Sequence, residues 1–178
     1  MSYQTVTAGK NPPHDIYAII EIPAFSAPVK YEVDKEMDAL LVDRFLTTAM
    51  IYPCNYGYIP QTLSEDGDPI DIMVITPIPV VHGSVIRCRP IGMLAMTDEA
   101  GVDTKLLAVP VDKLCPLYKN IQAPQDLPAE QLAMIANFFE NYKALEPGKW
   151  VKVGEWQDAK AAQDEIVASI ARYQAAKL

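Results

Sequence analysis

The chain has 178 residues, 50% hydrophobic and 21% charged, which predicts one globular domain over 1–178 with a single buried core. Fifteen Lys and Arg against 23 Asp and Glu leave a formal net charge of -8, which argues against bulk-charge attraction to nucleic acid or an anionic membrane. Cys54, Cys88 and Cys115 are odd in number and lack a C-x-x-C spacing, so neither a disulfide framework nor a zinc knuckle is expected.

The start of the chain is polar and carries Pro12 and Pro13, so no signal peptide is expected. The most apolar stretch, 70–81, is broken by Asp71, Pro77 and Pro79, well short of the ~20 residues a bilayer requires. A soluble cytoplasmic protein is the expectation. Short β-branched or aromatic runs set off by Pro, Gly and Asp then predict strands at 16–22 (IYAIIEI), 29–33 (VKYEV), 39–45 (ALLVDRF), 70–76 (IDIMVIT), 84–96 (SVIRCRPIGMLAM) and 104–110 (TKLLAVP). Most of the fifteen prolines fall between these runs, where a missing N–H interrupts no ladder. Pro90, inside the longest run, implies an edge position or a bulge. The strand count is that of a barrel.

The last third changes period. Asp126 and Pro128 signal a start, and Leu132, Ile135, Ala136, Phe139 and Tyr142 recur at helical spacing, predicting a helix over about 128–143. Pro147-Gly148 ends that region, 149–155 alternates as a strand, and Asp158 precedes Ala162, Ile166, Ile170 and Tyr173 at helical spacing. Trp150 and Trp156 are expected to pack the barrel against this terminal helix. Repeats and linkers are absent from the sequence.

The chemistry concentrates in one segment. Between Arg44 and Arg87 there is no Lys or Arg, yet Glu65, Asp66, Asp68 and Asp71 fall within seven residues around Gly67 and Pro69. Carboxylates this close repel one another unless they take up protons or a multivalent cation neutralises them. Asp-Gly-Asp-Pro is also good solvated-turn chemistry. Two features favour a ligand site: the segment runs directly into the apolar run at 70–76, and Asp98 and Asp103 flank a second predicted hairpin end. An EF-hand loop fails, because Ile70 and Asp71 stand where an oxygen ligand and a glycine are required. With only His14 and His82, histidine-based zinc sites and catalytic triads have little material, and hard oxygen ligands point to magnesium or manganese. P-loop, Rossmann, nucleophile-elbow and zincin signatures are missing.

Acid and base also alternate at strand spacing. Lys30 and Glu32 share one face, as do Asp103 and Lys105. Pairs of this kind are common on surfaces and individually weak. With Arg44, Tyr52, Tyr56, Tyr142 and Lys143 added, the inventory is what a metal-bridged phosphate site needs, since phosphate and carboxylate share a cavity only with cations between them.

Asp66-Gly67-Asp68-Pro69-Ile70-Asp71-Ile72 resembles the signature of the first family of soluble inorganic pyrophosphatases, D-x-D-P-hydrophobic-D-hydrophobic. The segments 17–23, 29–34, 52–58, 83–90, 96–101 and 138–143 are similar to its bacterial branch, so the resemblance covers nearly the whole chain. It implies a mainly β fold with flanking helices: a five-stranded OB-like closed barrel plus two main α-helices, α+β by content. It implies Mg²⁺-dependent hydrolysis of inorganic pyrophosphate to two orthophosphates by direct attack of a metal-bridged hydroxide, which pulls biosynthetic reactions forward. Several Mg²⁺ per active site are implied, with Mn²⁺ or Zn²⁺ as substitutes and Ca²⁺ as an inhibitor. Carried over residue by residue, Asp66, Asp71, Asp98 and Asp103 would hold metals, and Glu21 and Glu32 would act through metal-bound waters. Asp68 would be the general base. Lys30, Glu32, Arg44, Tyr56, Lys105, Tyr142 and Lys143 would bind substrate, with Tyr52 near them. The family implies a homohexamer, a dimer of trimers. Asn137 and Asn141 depart from it, standing where bacterial members often carry interface histidines.

Two other functions stay open on the sequence. A barrel of the oligonucleotide-binding type could hold single-stranded nucleic acid, against which the acidic balance argues. A divalent-ion buffer would bind metal without turnover.

Overall fold

The computed structural model describes residues 2–177. In chain order its elements are β1 (Gly9–Asn11), β2 (Asp15–Ile22), β3 (Val29–Asp34), β4 (Ala39–Phe45), β5 (Asn55–Tyr58), β6 (Asp71–Val74), β7 (Val85–Asp98), β8 (Gly101–Val102), β9 (Lys105–Pro110), α1 (Ala129–Asn141), β10 (Val151–Asp158) and α2 (Ala159–Ala176). Strands β2, β5, β6, β9 and β7 pair in that order, and β7 pairs back onto β2, closing a ring of five strands. Only the β6–β9 pairing in the ring is parallel. β3 and β4 form a separate hairpin sheet, while β1, β8 and β10 extend the ring.

Alternation along the ring strands feeds two apolar clusters. Met73, Leu107 and Val109 join Ile135, Phe138 and Phe139 of α1, whereas Ile72, Val74, Leu106 and Ala108 join Ala162 and Ile166 of α2. Both faces of β6 and β9 are thereby covered, which is why these runs read as nearly continuous apolar sequence. Asp158 starts α2 as expected, its carboxylate accepting from the Ala161 N–H at 2.9 Å. Asp126 behaves differently. Its carboxylate turns back to accept from the Gln122 and Ala123 N–H groups at 2.8 and 2.9 Å, and α1 begins behind Pro128 without a side-chain cap.

Pro90 lies at a bulge: the register of β7 against β9 shifts between Pro90 and Gly92. Strand β5 was not expected from propensity. It forms because Gly57 lets β5 approach β2, where a Cβ would come within 1.8 Å of the Ile19 carbonyl oxygen. The tryptophan expectation is corrected. Trp156 packs on the cluster that includes α1, not on α2, and Trp150 is exposed because it lies just before β10, beside the hairpin end at Glu99.

Candidate active site

The acidic segment is a tight loop between β5 and β6. Gly67 adopts φ +93, a conformation that glycine enters without strain. The Asp68 N–H donates to Asp66 Oδ1 at 3.0 Å, and the Ser64 N–H to the Asp68 carbonyl at 2.7 Å, so the backbone of the turn is satisfied locally. Asp71 then opens β6. The parallel register of Ile72 with Leu106 sets Asp71 beside Lys105 at the same end of the ring. The β7–β8 hairpin brings Asp98 to that end, with Asp98 Oδ1 accepting from the Ala100 N–H at 2.8 Å, and Asp103 follows with its N–H on the Met96 carbonyl at 2.9 Å.

These elements enclose a cleft of about 330 Å³. Glu21, Lys30, Glu32, Arg44, Tyr56, Asp66, Asp68, Asp71, Asp98, Asp103, Lys105, Tyr142 and Lys143 all line it, although they come from seven strands and loops and from the end of α1. Tyr52 does not reach the wall. It is 2% exposed and stacks behind it, 5.2 Å from Tyr56, 4.5 Å from Phe138 and 6.5 Å from Tyr142 between ring centroids. Lys35, Glu99 and Lys149 also line the cleft and were not singled out by sequence. Lys35 lies 3.7 Å from Asp68 Oδ1, and Glu99 Oε1 is 2.6 Å from Lys149 Nζ. The Glu99–Lys149 contact spans 50 residues, so no local spacing signals it.

Charges interleave throughout. Lys105 Nζ bonds Asp71 Oδ2 and lies 2.6 Å from Asp103 Oδ1. Burial pulls this ammonium's pKa down, but the two carboxylates outweigh it and hold the pKa above the ordinary lysine value. Lys143 Nζ lies 2.8 Å from Asp98 Oδ2. Burial raises the Asp98 carboxyl, and the bonds from Lys143 and the Ala100 N–H more than reverse this, leaving it below the usual carboxylate range. On the β3–β4 hairpin, Lys30 sits 3.3 Å from Glu32 and 3.1 Å from Asp43, and Arg44 Nη1 lies 3.1 Å from Glu146 Oε2. Glu21 Oε1 accepts from the Val33 N–H at 2.7 Å, yet burial pushes its carboxyl up to about 8, with the charges of Asp71 and Glu32 adding to the effect. Burial likewise raises the Tyr56 and Tyr142 phenols, which stay protonated donors at the cleft wall.

The inorganic pyrophosphatase family matches residues 18–174. The chain belongs to the inorganic pyrophosphatase family. It is 60% identical over 174 residues to an inorganic pyrophosphatase of Pseudomonas aeruginosa, covering 98% of this chain and 99% of the relative. It is 62% identical over 172 residues to that of Escherichia coli K12, covering 97% and 98%. The crystal structure of the inorganic pyrophosphatase from Thermus thermophilus superposes with a TM-score of 0.92 at 41% identity, covering 98% of this chain and 99% of that one. Family membership carries the activity: this is a hydrolase of inorganic pyrophosphate, and inorganic pyrophosphatases are metal-dependent.

The cleft fits a hard divalent cation. It is lined by eight carboxylates and six cationic side chains, with neither His nor Cys among them. Among the described residues, no three His, Cys, Asp or Glu side chains are already gathered tightly enough to hold an ion. The Lys105 ammonium stands between Asp71 and Asp103.

Proposed function

We propose that the chain, as a single inorganic pyrophosphatase domain over 1–178, acts as a magnesium-dependent enzyme whose catalytic groups are those of this cleft. The observation that supports the reading is the interleaving of carboxylates with Lys30, Arg44, Lys105 and Lys143 around one cavity, backed by membership of the family. Asp66, Asp71, Asp98 and Asp103 are the candidate ligands, and Glu21 and Glu32 are candidate outer partners reaching through water. When bound, magnesium neutralises phosphate charge, polarises the phosphoryl oxygens and lowers the pKa of water; Mn²⁺ or Zn²⁺ would substitute, and Ca²⁺ would inhibit through its looser coordination.

The chain's own residues do the rest. Lys30, Arg44, Lys105 and Lys143 hold the non-bridging oxygens of pyrophosphate, and Tyr56 and Tyr142 donate from the wall. Tyr52 supports both tyrosines from behind. Asp68 lies at the rim with its side chain 72% exposed, free to accept the proton of an attacking water. That water adds to one phosphorus as the bridging P–O bond breaks, the other phosphate leaves with the bond's electron pair, and the products are two orthophosphates. Lys35 Nζ lies 3.7 Å from Asp68 Oδ1 at the same rim. The test is phosphate release from pyrophosphate by the purified protein. Turnover that requires Mg²⁺ and falls by about 10²-fold or more in Asp68→Asn supports the roles; Mg²⁺-independent release, or an unaffected variant, overturns them.

We further propose a homohexamer of two trimers acting in the cytoplasm. Exposed Phe45, Ile78 and Val81 supply apolar surface for assembly, and the three free cysteines suit a reducing compartment. Among the described residues, no helix is long and apolar enough to cross a membrane. Nucleic acid is no partner on this reading.

A further inference from the structure

The loop that carries Asp66, Asp68 and Asp71 is held from outside the cleft. At its root, Ile59 and Ile70 pair through the Ile59 N–H and the Ile70 carbonyl at 3.0 Å. The Thr62 hydroxyl closes the same junction, donating to the Ile59 carbonyl at 2.5 Å and accepting from the Ile70 N–H at 3.0 Å. Thr62 is 1% exposed, so a lost bond there leaves a buried backbone group without a partner. One residue on, both backbone polar groups of Leu63 are taken by α2: its N–H donates to the Ser169 carbonyl at 3.0 Å, and its carbonyl accepts from Arg172 Nε at 2.7 Å. Arg172 is itself fixed by Glu165. Neither Thr62 nor Arg172 lines the cleft.

We propose that Thr62 and Arg172 are positioning residues for the carboxylate loop, so that the terminal helix, more than 100 residues away in sequence, sets the metal affinity of the cleft. The proposal rests on the assignment of Asp66 and Asp71 as ligands. Side chains that orient ligands without touching the metal typically change affinity by about 10–100-fold when removed. Thr62 acts at the end of the loop that runs into Asp71, and Arg172 at the end that leads to Asp66.

The test uses Mn²⁺ alone as the probe, titrated by calorimetry into the metal-free full chain, with amide hydrogen exchange of Leu63 and Ile70 as a second readout. Thr62→Val keeps the shape and removes the hydroxyl; it is expected to weaken Mn²⁺ binding about tenfold and to speed exchange at Ile70. Thr62→Ser is expected to restore both. Arg172→Met, at a partly exposed position, is expected to weaken binding several-fold and to speed exchange at Leu63. Wild-type affinity in Thr62→Val and Arg172→Met, or a Thr62→Ser no better than Thr62→Val, overturns the proposal while leaving the active site intact. A wild-type chain that binds no Mn²⁺ overturns both the proposal and the ligand assignment.

Discussion

The ammonium of Lys105 stands 2.6 Å from Asp103 Oδ1 and also bonds Asp71, tying two carboxylates from opposite sides of the parallel β6–β9 pair. Its side chain is only 4% exposed. Removing one partner of such a buried group leaves uncompensated charge, which costs about 3–5 kcal/mol. Lys105→Met is therefore expected to lower the melting temperature sharply in a chelating buffer and to regain much of it on adding Mn²⁺, while losing about 10²-fold or more in turnover. An unchanged melting temperature in chelator would show that Lys105 does not hold the carboxylates together.

Glu21 makes stability depend on pH in the opposite sense from an ordinary paired carboxylate. Burial raises its carboxyl from 4.5 to about 8 in the native state. The native state therefore keeps a proton that the unfolded chain gives up, so this group's contribution is full below about pH 4.5 and is lost as pH rises through about 8. Glu21→Gln removes the titration and keeps an acceptor for the Val33 N–H. In urea denaturation with chelator, the variant is expected to gain up to about 5 kcal/mol over the wild type at pH 9 and nothing at pH 4. Parallel profiles would contradict this.

Gly57 sets how closely β5 lies against β2. A Cβ there would stand 1.8 Å from the Ile19 oxygen and 2.8 Å from the Ile19 carbonyl carbon, both backbone atoms that cannot step aside. Gly57→Ala is expected to destabilise the fold by about 3 kcal/mol or more in thermal or urea unfolding. A wild-type midpoint would mean the ring has slack at this seam.

The same strand marks where sequence was silent. Asn and Gly are poor strand formers, yet Asn55 is 1% exposed and its amide is fully used, accepting from the Ala24 and Val80 N–H groups at 3.1 Å each and donating to the Val74 carbonyl and Thr76 Oγ1 at 3.0 and 2.7 Å. Those partners come from three other segments, so tertiary context overrides propensity. The acidic loop and the β7–β8 hairpin were legible because their chemistry is local: Asp66 bonds the Asp68 N–H and Asp98 bonds the Ala100 N–H, each two residues on. Glu99 and Lys149 were not, because only the closed ring brings them together. Trp150 misled for a related reason, since an aromatic residue ahead of a strand says nothing about which side of the sheet is covered.

Asn137 and Asn141 stand one turn apart on α1, with Asn141 Nδ2 3.0 Å from Asn137 Oδ1. Neither amide titrates, so in the proposed hexamer these two side chains supply no protonation switch. Sedimentation is expected to find a hexamer whose mass holds between about pH 5 and 9 at fixed protein concentration. Dissociation with a midpoint near the ordinary histidine pKa would contradict it.

The proposal that the acidic side chains converging on this cleft hold metal is tested most directly by the anomalous signal of Mn²⁺ in a crystal of the full chain. The account predicts peaks within coordination distance of Asp66, Asp71, Asp98 and Asp103, with the Lys105 ammonium moved off Asp71. Peaks elsewhere, with Lys105 still lodged between Asp71 and Asp103, would contradict it.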